Sequence, residues 1–515
     1  MKWNDLRDAL RARGAIHEDR TDSGDRHVTV TGVAYDSRTV KPGNVFVALK
    51  GLHADGTTFV HQAMDRGAVA IVSEDPPAEQ TRVSWTQVHD ARLALAQLAA
   101  AFYRHPSGEM QVIGVTGTNG KTTTAYLIAS IFEAAGIPCG VVGTVAYRIG
   151  REVREATRTT PEAPEVQSLL REMVDRGAAA CAMEVSSHAL SLRRVDEISF
   201  AAAVFTNLTR DHLDFHTDME DYFRAKRRLF EMLPPGKPSL VNVDDPRGLS
   251  LAGIVRRPVT FAVDRPADIT PGPLSYSLAG LAFDVRTPRG ALRLRSTLVG
   301  RPNVYNILAA SATGVALDLP FDAIEAGVRA VRGVPGRFEI VSGEKDGVTV
   351  VVDYAHTDDA LRNLLETARS LATGRLITVF GCGGDRDRTK RPLMGAVASR
   401  LSDLTIITSD NPRGEDPDRI IEDIRRGITP DSGGWPLSKA AESGGRDSAQ
   451  RVLAIADRHE AIDKAIELAR PNDLVLVAGK GHEKYQIVGD RVLPFDDVTV
   501  AREALARRRA SSGVA

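Results

Sequence analysis

Short apolar runs recur along the whole chain and alternate with longer segments whose apolar residues recur at helical spacing. An apolar run that is bounded by turn-forming residues is typical of a buried strand. The alternation of such strands with helical segments predicts a doubly wound α/β fold. The predicted strands are residues 44–49, 68–72, 111–115, 179–185, 201–205, 239–243, 348–352, 376–380, 404–408, 451–455 and 474–477.

Two breaks divide this alternation into three units. Turn-forming residues, Pro-Ser-Gly at 106–108 and Val-Pro-Gly at 334–336, interrupt the pattern. A chain of 515 residues has room for about three domains of ~100–200 residues each. We therefore predict an N-terminal α/β domain (1–106), a central doubly wound domain (107–334) and a C-terminal Rossmann-like domain (335–515).

Two segments depart from the regular alternation. Residues 259–298 contain several short strand-like runs with Pro and Gly turns, which predict a small subsidiary sheet. Residues 429–450 are rich in Gly and Ser, which predicts a mobile surface insertion.

Composition and charge exclude several classes of protein. Lys and Arg number 66 and Asp and Glu 67, so a net charge of -1 argues against a nucleic-acid-binding or membrane-surface protein. The three cysteines are scattered without metal-binding spacing, which favours a reduced, cytoplasmic setting. The first residues form no signal peptide, and no run reaches the ~18 apolar residues of a membrane span.

The segment 114–124 predicts a phosphate-binding loop in the central sheet. It joins the strand at 111–115 to a helical segment, and Lys121 and Thr122 follow Gly120 at the predicted helix start. Backbone N–H groups and the positive end of the helix would hold an anion, Lys121 would neutralise charge, and the Thr122 hydroxyl could reach Mg²⁺. Val115 occupies the position of the first Gly of the common P-loop pattern, so the segment matches a variant, T-G-T-N-G-K-T-[ST].

Polar side chains follow two further strands of the central unit. Glu184 ends the strand at 179–185, and Asp211, His212 and Asp214 follow the strand at 201–205. Ligands bind beyond the carboxyl ends of strands in open α/β sheets. Glu184 and His212, with the Thr122 hydroxyl, are a reasonable set of groups for Mg²⁺ beside phosphates. Each residue alone fits a cap or a structural role equally well.

Lys226 shares the apolar face of a predicted helix with Tyr222, Phe223, Leu229 and Phe230. The interpretation that the sequence favours is a lysine with a buried stem and an ammonium in water. The alternative is a lysine whose pKa is lowered by burial and which reacts as a free amine.

Charged loops end three strands of the third unit, at 381–388, 410–413 and 479–483. Together they predict a site for a zwitterionic or doubly charged small molecule, in which an Arg grips a carboxylate as a fork. Solvated loop charge explains any one of these loops, but less well all three. The first loop does not meet the G-x-G-x-x-G pattern of dinucleotide-binding proteins. Asp353 and His356, with Arg337 upstream, could meet a nucleotide across a domain cleft.

These motifs together resemble the Mur ligase family over nearly the whole chain. They occur in the family's order as T-G-T-N-G-K-T-T (116–123), E-V-S-S-H-A-L (184–190), N-L-T-R-D-H-L-D-F-H (207–216), D-Y-A-H-T (353–357), G-C-G-G-D-R-D (381–387), D-N-P-R (410–413) and G-K-G-H-E (479–483). The resemblance implies ATP-dependent peptide-bond formation in peptidoglycan precursor synthesis. A substrate carboxylate would attack the γ-phosphate of ATP, and an amine would then displace phosphate from the acyl phosphate.

The resemblance also implies a role for individual residues. Catalysis would depend on Lys121, Glu184, His212 and Lys226. Mg²⁺ would be served by Thr122, Glu184, His212 and Lys226, the last as a carbamate. ATP would contact Gly117, Thr118, Asn119, Gly120, Lys121, Thr122, Thr123, Asn306, Arg337, Asp353 and His356. The UDP-linked substrate would contact Ser37, Thr159, Thr160, Ser186 and Arg194, and the added amino acid Arg386, Asp410, Asn411, Arg413, Gly479 and Glu483. Leu192 departs from the pattern, because some members carry a polar residue there.

The implied reaction adds meso-diaminopimelate to the D-glutamate of UDP-N-acetylmuramoyl-L-alanyl-D-glutamate. Diaminopimelate-adding members resemble this chain in D-N-P-R, and Arg413 is a natural fork for the distal carboxylate that lysine lacks. The alternatives are a lysine-adding member, a folylpolyglutamate synthase-like ligase and a nucleotide-gated binding protein without catalysis. We expect a cytoplasmic monomer that binds neither nucleic acid nor membrane.

Overall fold

The computed structural model describes residues 1–20, 28–51, 54–77, 82–428 and 452–512. The predicted insertion at 429–450 lies outside the described residues. Every predicted strand overlaps an observed strand, and the ends of the two agree within two residues. Among the described residues, no helix is both long enough and apolar enough to cross a bilayer.

The N-terminal unit is a five-stranded sheet with helices against it. Its strands run in the order β1-β5-β4-β3-β2, and β1 alone is antiparallel to its neighbour. Leu6 and Leu10 of the first helix pack with Leu95 and Leu98 of the third in one buried cluster. The elements are α1 (Trp3–Ala12), β1 (Ile16–Arg20), β2 (Gly32–Ala34), β3 (Asn44–Val47), α2 (Val60–Asp65), β4 (Ala70–Ser73), β5 (Ser84–Val88) and α3 (Ala91–Phe102).

The central unit is built on an eight-stranded sheet in the order β13-β12-β11-β6-β10-β7-β8-β9. The first six strands in this order are parallel, and a buried apolar cluster covers each face. The elements are β6 (Gln111–Thr116), α4 (Lys121–Ala134), β7 (Cys139–Val142), β8 (Ala146–Ile149), β9 (Glu152–Glu155), α5 (Ala163–Asp175), β10 (Ala180–Glu184), α6 (Ser187–Ser191), β11 (Phe200–Phe205), α7 (Met219–Glu231), β12 (Ser239–Asn242), α8 (Pro246–Ala252) and β13 (Pro258–Phe261).

A four-stranded sheet and two helices complete this unit. The subsidiary sheet predicted at 259–298 is confirmed except for its first part, because β13 pairs with β12 as an edge of the central sheet. Apolar side chains alternate along β16, so one face of the small sheet is buried. The elements are β14 (Thr270–Pro271), β15 (Ser275–Ser277), β16 (Gly280–Thr287), β17 (Gly290–Ser296), α9 (Arg301–Ala316) and α10 (Phe321–Ala330).

The C-terminal unit is a six-stranded sheet in the order β18-β19-β23-β20-β21-β22, followed by the hairpin β24–β25. All pairs in the sheet are parallel except β18 with β19. The elements are β18 (Glu339–Ile340), β19 (Thr349–Asp353), α11 (Asp358–Leu371), β20 (Leu376–Phe380), α12 (Lys390–Leu401), β21 (Leu404–Ile407), α13 (Pro417–Arg425), β22 (Val452–Ala454), α14 (Arg458–Leu468), β23 (Leu474–Ala478), β24 (Tyr485–Val488), β25 (Arg491–Pro494) and α15 (Asp497–Ser512). We propose 1–106, 107–334 and 335–515 as the domain limits, because each large sheet falls within one of these ranges.

Candidate active site

The loop between β6 and α4 is held against neighbouring side chains so closely that two positions require glycine. Gly117 and Gly120 have φ of +148° and +85°. A Cβ on Gly117 would lie 1.9 Å from Thr206 Oγ1, and one on Gly120 would lie 2.3 Å from Asn306 Oδ1. Asn306, which was predicted to contact the nucleotide, therefore lies against the predicted phosphate loop. The open backbone at the start of α4 is the arrangement that binds phosphate.

Two lysines point at the same carbonyl group of this loop. Lys121 Nζ donates to Gly117 O at 2.9 Å and to Thr118 O at 2.7 Å, and Lys226 Nζ donates to Gly117 O at 2.8 Å. The Lys226 side chain is 1% exposed, and its Nζ lies 4.4 Å from the centre of the Tyr222 ring. Burial, and then the charge of Lys121, hold the pKa of Lys226 well below its usual value.

The interpretation that the sequence favoured for Lys226, an ammonium in water, is therefore wrong. The apolar face places the stem correctly, but α7 packs so closely on the phosphate loop that the ammonium is enclosed as well. A buried lysine with a lowered pKa is the alternative that the sequence left open, and it is the form that reacts as an amine.

Two acidic groups, Glu184 and Asp211, lie near these lysines. Glu184, at the end of β10, accepts hydrogen bonds from Thr144 N at 2.8 Å and Thr144 Oγ1 at 3.0 Å. Asp211 Oδ2 lies 3.4 Å from His212 Nε2. Burial lowers the pKa of His212 to about 3, so the imidazole is neutral and free to serve as a ligand. Among the described residues, no three side chains of the His, Cys, Asp and Glu types form a metal-binding group.

The C-terminal unit reaches across to the phosphate loop. Arg337 Nη2 donates to Thr122 Oγ1 at 3.2 Å, and the guanidinium lies 4.7 Å from the centre of the Tyr354 ring. Asn119 Nδ2 donates to Asp359 Oδ2 at 3.3 Å. Two residues that were predicted to bind the nucleotide, Arg337 and Asn119, therefore take part in contacts between the units.

Asp353 is the last residue of β19, and His356 lies in the loop that follows the strand. Asp353 fixes its own loop by accepting from Phe338 N at 2.7 Å and Ala355 N at 2.8 Å. Burial, and next the charge of Lys390, lower the pKa of His356. Lys390 Nζ donates to His356 O at 2.8 Å.

Several cationic side chains thus lie close together in the cleft between the two units. Besides burial, the charge of Arg337 lowers the pKa of Lys121, and the charge of Lys121 lowers the pKa of Lys226. Glu184 and Asp211 raise the pKa of Lys121, and Asp211 also raises that of Lys226. Repulsion among buried cations is relieved by a polyanion. The residues present therefore fit a polyanionic ligand such as a nucleoside triphosphate.

The residues that were predicted to bind the UDP-linked substrate mostly lie beside Glu184. Thr160 Oγ1 donates to Glu184 O at 2.8 Å and accepts from Ser186 N at 3.1 Å. Arg194 Nη1 donates to Thr160 O at 3.2 Å, and Thr159 Oγ1 lies 3.0 Å from Thr144 Oγ1. These side chains form one polar surface.

Ser37, the remaining predicted residue, is separate from this surface. Its hydroxyl donates to Gln62 Oε1 at 2.6 Å within the N-terminal unit. The two units nevertheless touch nearby, because Tyr35 Oη donates to Glu165 Oε1 at 3.1 Å.

Four of the residues that were predicted to bind the amino acid meet at the carboxyl ends of β21 and β23. Asn411 Nδ2 donates to Glu483 Oε2 at 2.9 Å. A Cβ on Gly479 would lie 2.6 Å from Asp410 Oδ2, so these two loops are in close contact. The loops at 410–413 and 479–483 therefore lie together at this end of the sheet.

Arg413 and Arg386 approach the same point from two loops. A Cβ built on Gly383 would lie 2.9 Å from Arg413 Nη1 and 3.9 Å from Arg386 Cγ. Arg413 Nη1 also donates to Gly384 O at 2.8 Å, and Arg386 is exposed. The guanidinium of Arg413 and the side-chain stem of Arg386 therefore lie near one edge of the site.

Lys480 is a residue of this site that sequence reasoning missed. It is 0% exposed, and its Nζ donates to Asn411 Oδ1 at 3.0 Å and Glu483 Oε2 at 3.1 Å. Its position inside G-K-G-H-E was a signal, but a charge between two glycines looks like a solvated loop charge. The sequence does not show that the side chain turns inward.

The comparisons with known proteins agree with this geometry. Three domain profiles match the chain: the Mur ligase family, catalytic domain, at 29–103; the Mur ligase middle domain at 115–314; and the Mur ligase, glutamate ligase domain, at 336–481. Together they span most of the length of the chain.

Two relatives carry the same name, UDP-N-acetylmuramoyl-L-alanyl-D-glutamate--2,6-diaminopimelate ligase. The protein of Geobacter metallireducens is 48% identical over 92% of this chain and 94% of its own length. The protein of Geobacillus thermodenitrificans is 43% identical over 93% of this chain and 96% of its own length.

The solved structures that resemble the chain include one with the same name, which is 32% identical with a TM-score of 0.65 and covers 96% of this chain and 98% of its own. Folylpolyglutamate synthase of Mycobacterium tuberculosis has a TM-score of 0.60 at 18% identity, covering 82% of this chain and 96% of its own. At that identity the second likeness shows the fold alone.

Proposed function

The chain belongs to the Mur ligase family, and on that premise we propose that it is the ATP-dependent ligase that adds meso-diaminopimelate to UDP-N-acetylmuramoyl-L-alanyl-D-glutamate. The new amide joins the D-glutamate carboxyl group to an amine of diaminopimelate, in the synthesis of peptidoglycan precursors. The observation that supports the proposal is that the phosphate loop contacts the C-terminal unit, which carries the converging loops of the amino-acid site. The phosphate loop with Lys121 belongs to the central unit, and the loops of Asn411, Arg413 and Glu483 belong to the C-terminal unit.

The reaction that we propose has two steps. A carboxylate oxygen of the D-glutamate attacks the γ-phosphorus of ATP, and ADP leaves. The amine nitrogen of diaminopimelate then attacks the acyl carbon of the acyl phosphate, loses a proton, and inorganic phosphate leaves. Cationic groups that face the phosphates stabilise the negative charge of both transition states.

Individual residues would prepare these steps. Lys121 can leave its contacts with Gly117 O and Thr118 O for the phosphates, which would relieve the enclosure of its ammonium. Arg337 would bring the C-terminal unit to the nucleotide, since it already contacts Thr122. Mg²⁺, held by Thr122, Glu184, His212 and a carbamate on Lys226, would supply a positive charge beside the phosphate oxygens.

The amino-acid site would bind both ends of diaminopimelate. Its distal end carries an ammonium and a carboxylate, and Glu483 could pair with the ammonium while Arg413 grips the carboxylate. Bound lysine would leave the Arg413 guanidinium without a carboxylate partner, and a buried charged group without a partner makes the free energy of binding less favourable. A site that demands such a partner can discriminate by about 10⁴-fold.

Phosphate release with ATP and UDP-N-acetylmuramoyl-L-alanyl-D-glutamate, across a panel of amino acids, tests the proposal. We expect rapid release with meso-diaminopimelate and very little with L-lysine. Preference for lysine would support the lysine-adding alternative, and absence of release with every amino acid would support a binding protein. We also propose a monomer, because one chain contributes every predicted site residue; light scattering would show a larger mass if this were wrong.

A further inference from the structure

Two loops carry the arginines that face the amino-acid site, and both rest on one buried ion pair. The Arg386 loop (381–389) follows β20, and the Arg413 loop (410–416) follows β21. Arg391, in the first turn of α12, is completely buried beneath them. Glu415, at the end of the Arg413 loop, is its partner.

The Arg391 guanidinium binds both loops at once. Its Nη1 and Nη2 atoms donate to Glu415 Oε2 at 3.0 Å and Oε1 at 2.8 Å, as a fork. Nη2 also donates to Gly383 O at 3.3 Å in the Arg386 loop, and Nη1 to Asp423 Oδ2 at 2.9 Å on α13. A bidentate guanidinium fixes orientation as well as distance.

Glu415 reaches back to the Arg386 loop with the same carboxylate. Its Oε1 accepts from Asp385 N at 2.7 Å, and its Oε2 pairs with Arg388 Nη2 at 2.9 Å. The hydrogen bond from Arg391 lowers the pKa of Glu415 to about 2, so the carboxylate stays charged at neutral pH. The Arg391–Glu415 pair therefore joins the Arg386 loop to the Arg413 loop.

The backbone of both loops depends on such support. Asp385 and Arg413 have φ of 51° and 52°, in the left-handed region that a side chain disfavours. Gly414, the neighbour of Arg413, donates its N–H to Asp385 Oδ2 at 2.9 Å, so a hydrogen bond joins the two loops beside these positions. Strained conformations of this kind persist where surrounding contacts fix them.

We infer that the Arg391–Glu415 pair sets the spacing between Arg386 and Arg413, and so determines selection of an amino acid whose distal end carries both an ammonium and a carboxylate. Arg391 and Glu415 are positioning residues, because they act through the two loops. The inference rests on the proposed function and extends its specificity to residues beneath the site. A shift of ~1 Å in a positioning group can change rates by about 100-fold, so a small displacement of either loop is measurable.

The alternative is an ion pair that stabilises the unit without affecting the site. Arg375 and Asp473 provide a control, because they form an arginine–carboxylate pair with two side-chain hydrogen bonds at the opposite end of the same sheet. Arg375 Nε and Nη2 donate to Asp473 Oδ2 at 3.0 and 2.7 Å, and the Asp473 side chain is 3% exposed. This pair precedes β20 and β23, whereas the amino-acid site lies beyond their carboxyl ends.

The experiment compares the full-length wild type with Glu415→Gln, Arg391→Lys and Asp473→Asn. Initial rates would give kcat and KM for meso-diaminopimelate and KM for ATP, and the relative kcat/KM for meso-diaminopimelate and L-lysine. For Glu415→Gln we expect KM for diaminopimelate to rise about 10-fold to 100-fold and the preference over lysine to fall by a similar factor. KM for ATP should stay within about twofold, because the nucleotide contacts other loops.

Arg391→Lys should give the same pattern, since lysine keeps the buried charge but loses the fork. If Glu415→Gln does not fold, the relative kcat/KM of Arg391→Lys for meso-diaminopimelate and L-lysine tests the inference instead. Asp473→Asn should lose thermal stability while keeping the wild-type preference. An unchanged preference in a folded Glu415 or Arg391 variant, or an equal change in Asp473→Asn, overturns the inference. Failure of the wild type to use diaminopimelate at all would instead overturn the proposed function.

Discussion

Replacement of Lys226 by alanine tests the most unusual feature of the site. Lys226 Nζ and Lys121 Nζ donate to the same oxygen, Gly117 O, at 2.8 and 2.9 Å. The two nitrogens are therefore less than about 6 Å apart, and two unit charges at about 5 Å repel by about 3 kcal/mol at an effective dielectric constant of about 20. This repulsion and burial both favour the neutral amine of Lys226, in agreement with its lowered pKa.

A neutral amine in this position can react with CO₂. The nitrogen attacks the carbon of CO₂ and loses a proton to solvent, which leaves a carbamate. The neutral amine has no charge for Lys121 to attract, whereas a carbamate at about 5 Å would attract its ammonium by about 3 kcal/mol at the same dielectric constant. The carbamate would also give Mg²⁺ an oxygen ligand on α7, the kind of ligand that this ion prefers.

Lys226→Ala should therefore lower kcat at least about 100-fold, as the loss of a group that stabilises developing charge does elsewhere. Short carboxylates such as formate or acetate should restore part of the activity by occupying the space. Lys237→Ala is the matched control, because Lys237 is an exposed lysine of the same unit and should keep full activity.

A second measurement observes the carbamate directly. ¹³C NMR with labelled bicarbonate should show a carbamate signal in the wild type and in Lys237→Ala, but none in Lys226→Ala. The reasoning is refuted if Lys226→Ala is fully active, or if the folded wild type gives no carbamate signal under turnover conditions.

Four further outcomes are expected. Arg413→Ala should reduce kcat/KM for meso-diaminopimelate by about 100-fold or more, while nucleotide binding by calorimetry stays unchanged; equal loss of both would contradict its role. Gly117→Ala should lose ATP binding or fold poorly, because its Cβ would lie 1.9 Å from Thr206 Oγ1, and wild-type affinity would contradict the contact. Small-angle scattering should show a more compact particle when ATP and the UDP-linked substrate bind, since the site is divided between units; an identical profile would count against closure. Burial lowers the pKa of His188 and of His482 to about 4, so the unfolded chain binds protons at about pH 6.5 that the folded protein refuses. The free energy of unfolding should therefore decrease as the pH is lowered from about 6.5 to 4, and it should decrease less steeply in His482→Gln. An identical pH dependence in that variant would refute the low pKa of His482.

Much of the fold could be predicted because parallel strands buried on both faces appear as apolar runs. The strands at 376–380 and 474–478 are examples, and the charged loops after them were correctly placed at carboxyl ends. The pairing of 258–261 with β12 was not predicted, because a short strand carries no signal for the sheet that it joins.

The sequence by itself determined which chemistry the chain carries: the phosphate loop with Lys121, the charged loops of the C-terminal unit, and the family to which their order belongs. Only the tertiary structure decided which of the lysine side chains are buried and which are exposed to solvent. The terminal nitrogens of Lys226 and Lys480 are both enclosed, although helical spacing and loop composition suggested that they lie in solvent. The enclosure of a side chain depends on elements that are distant in sequence, as α7 against the phosphate loop and Asn411 against Lys480 show. The spacing of apolar residues predicts which face of a single helix or strand is apolar, whereas the burial of a side chain depends on several elements packed together.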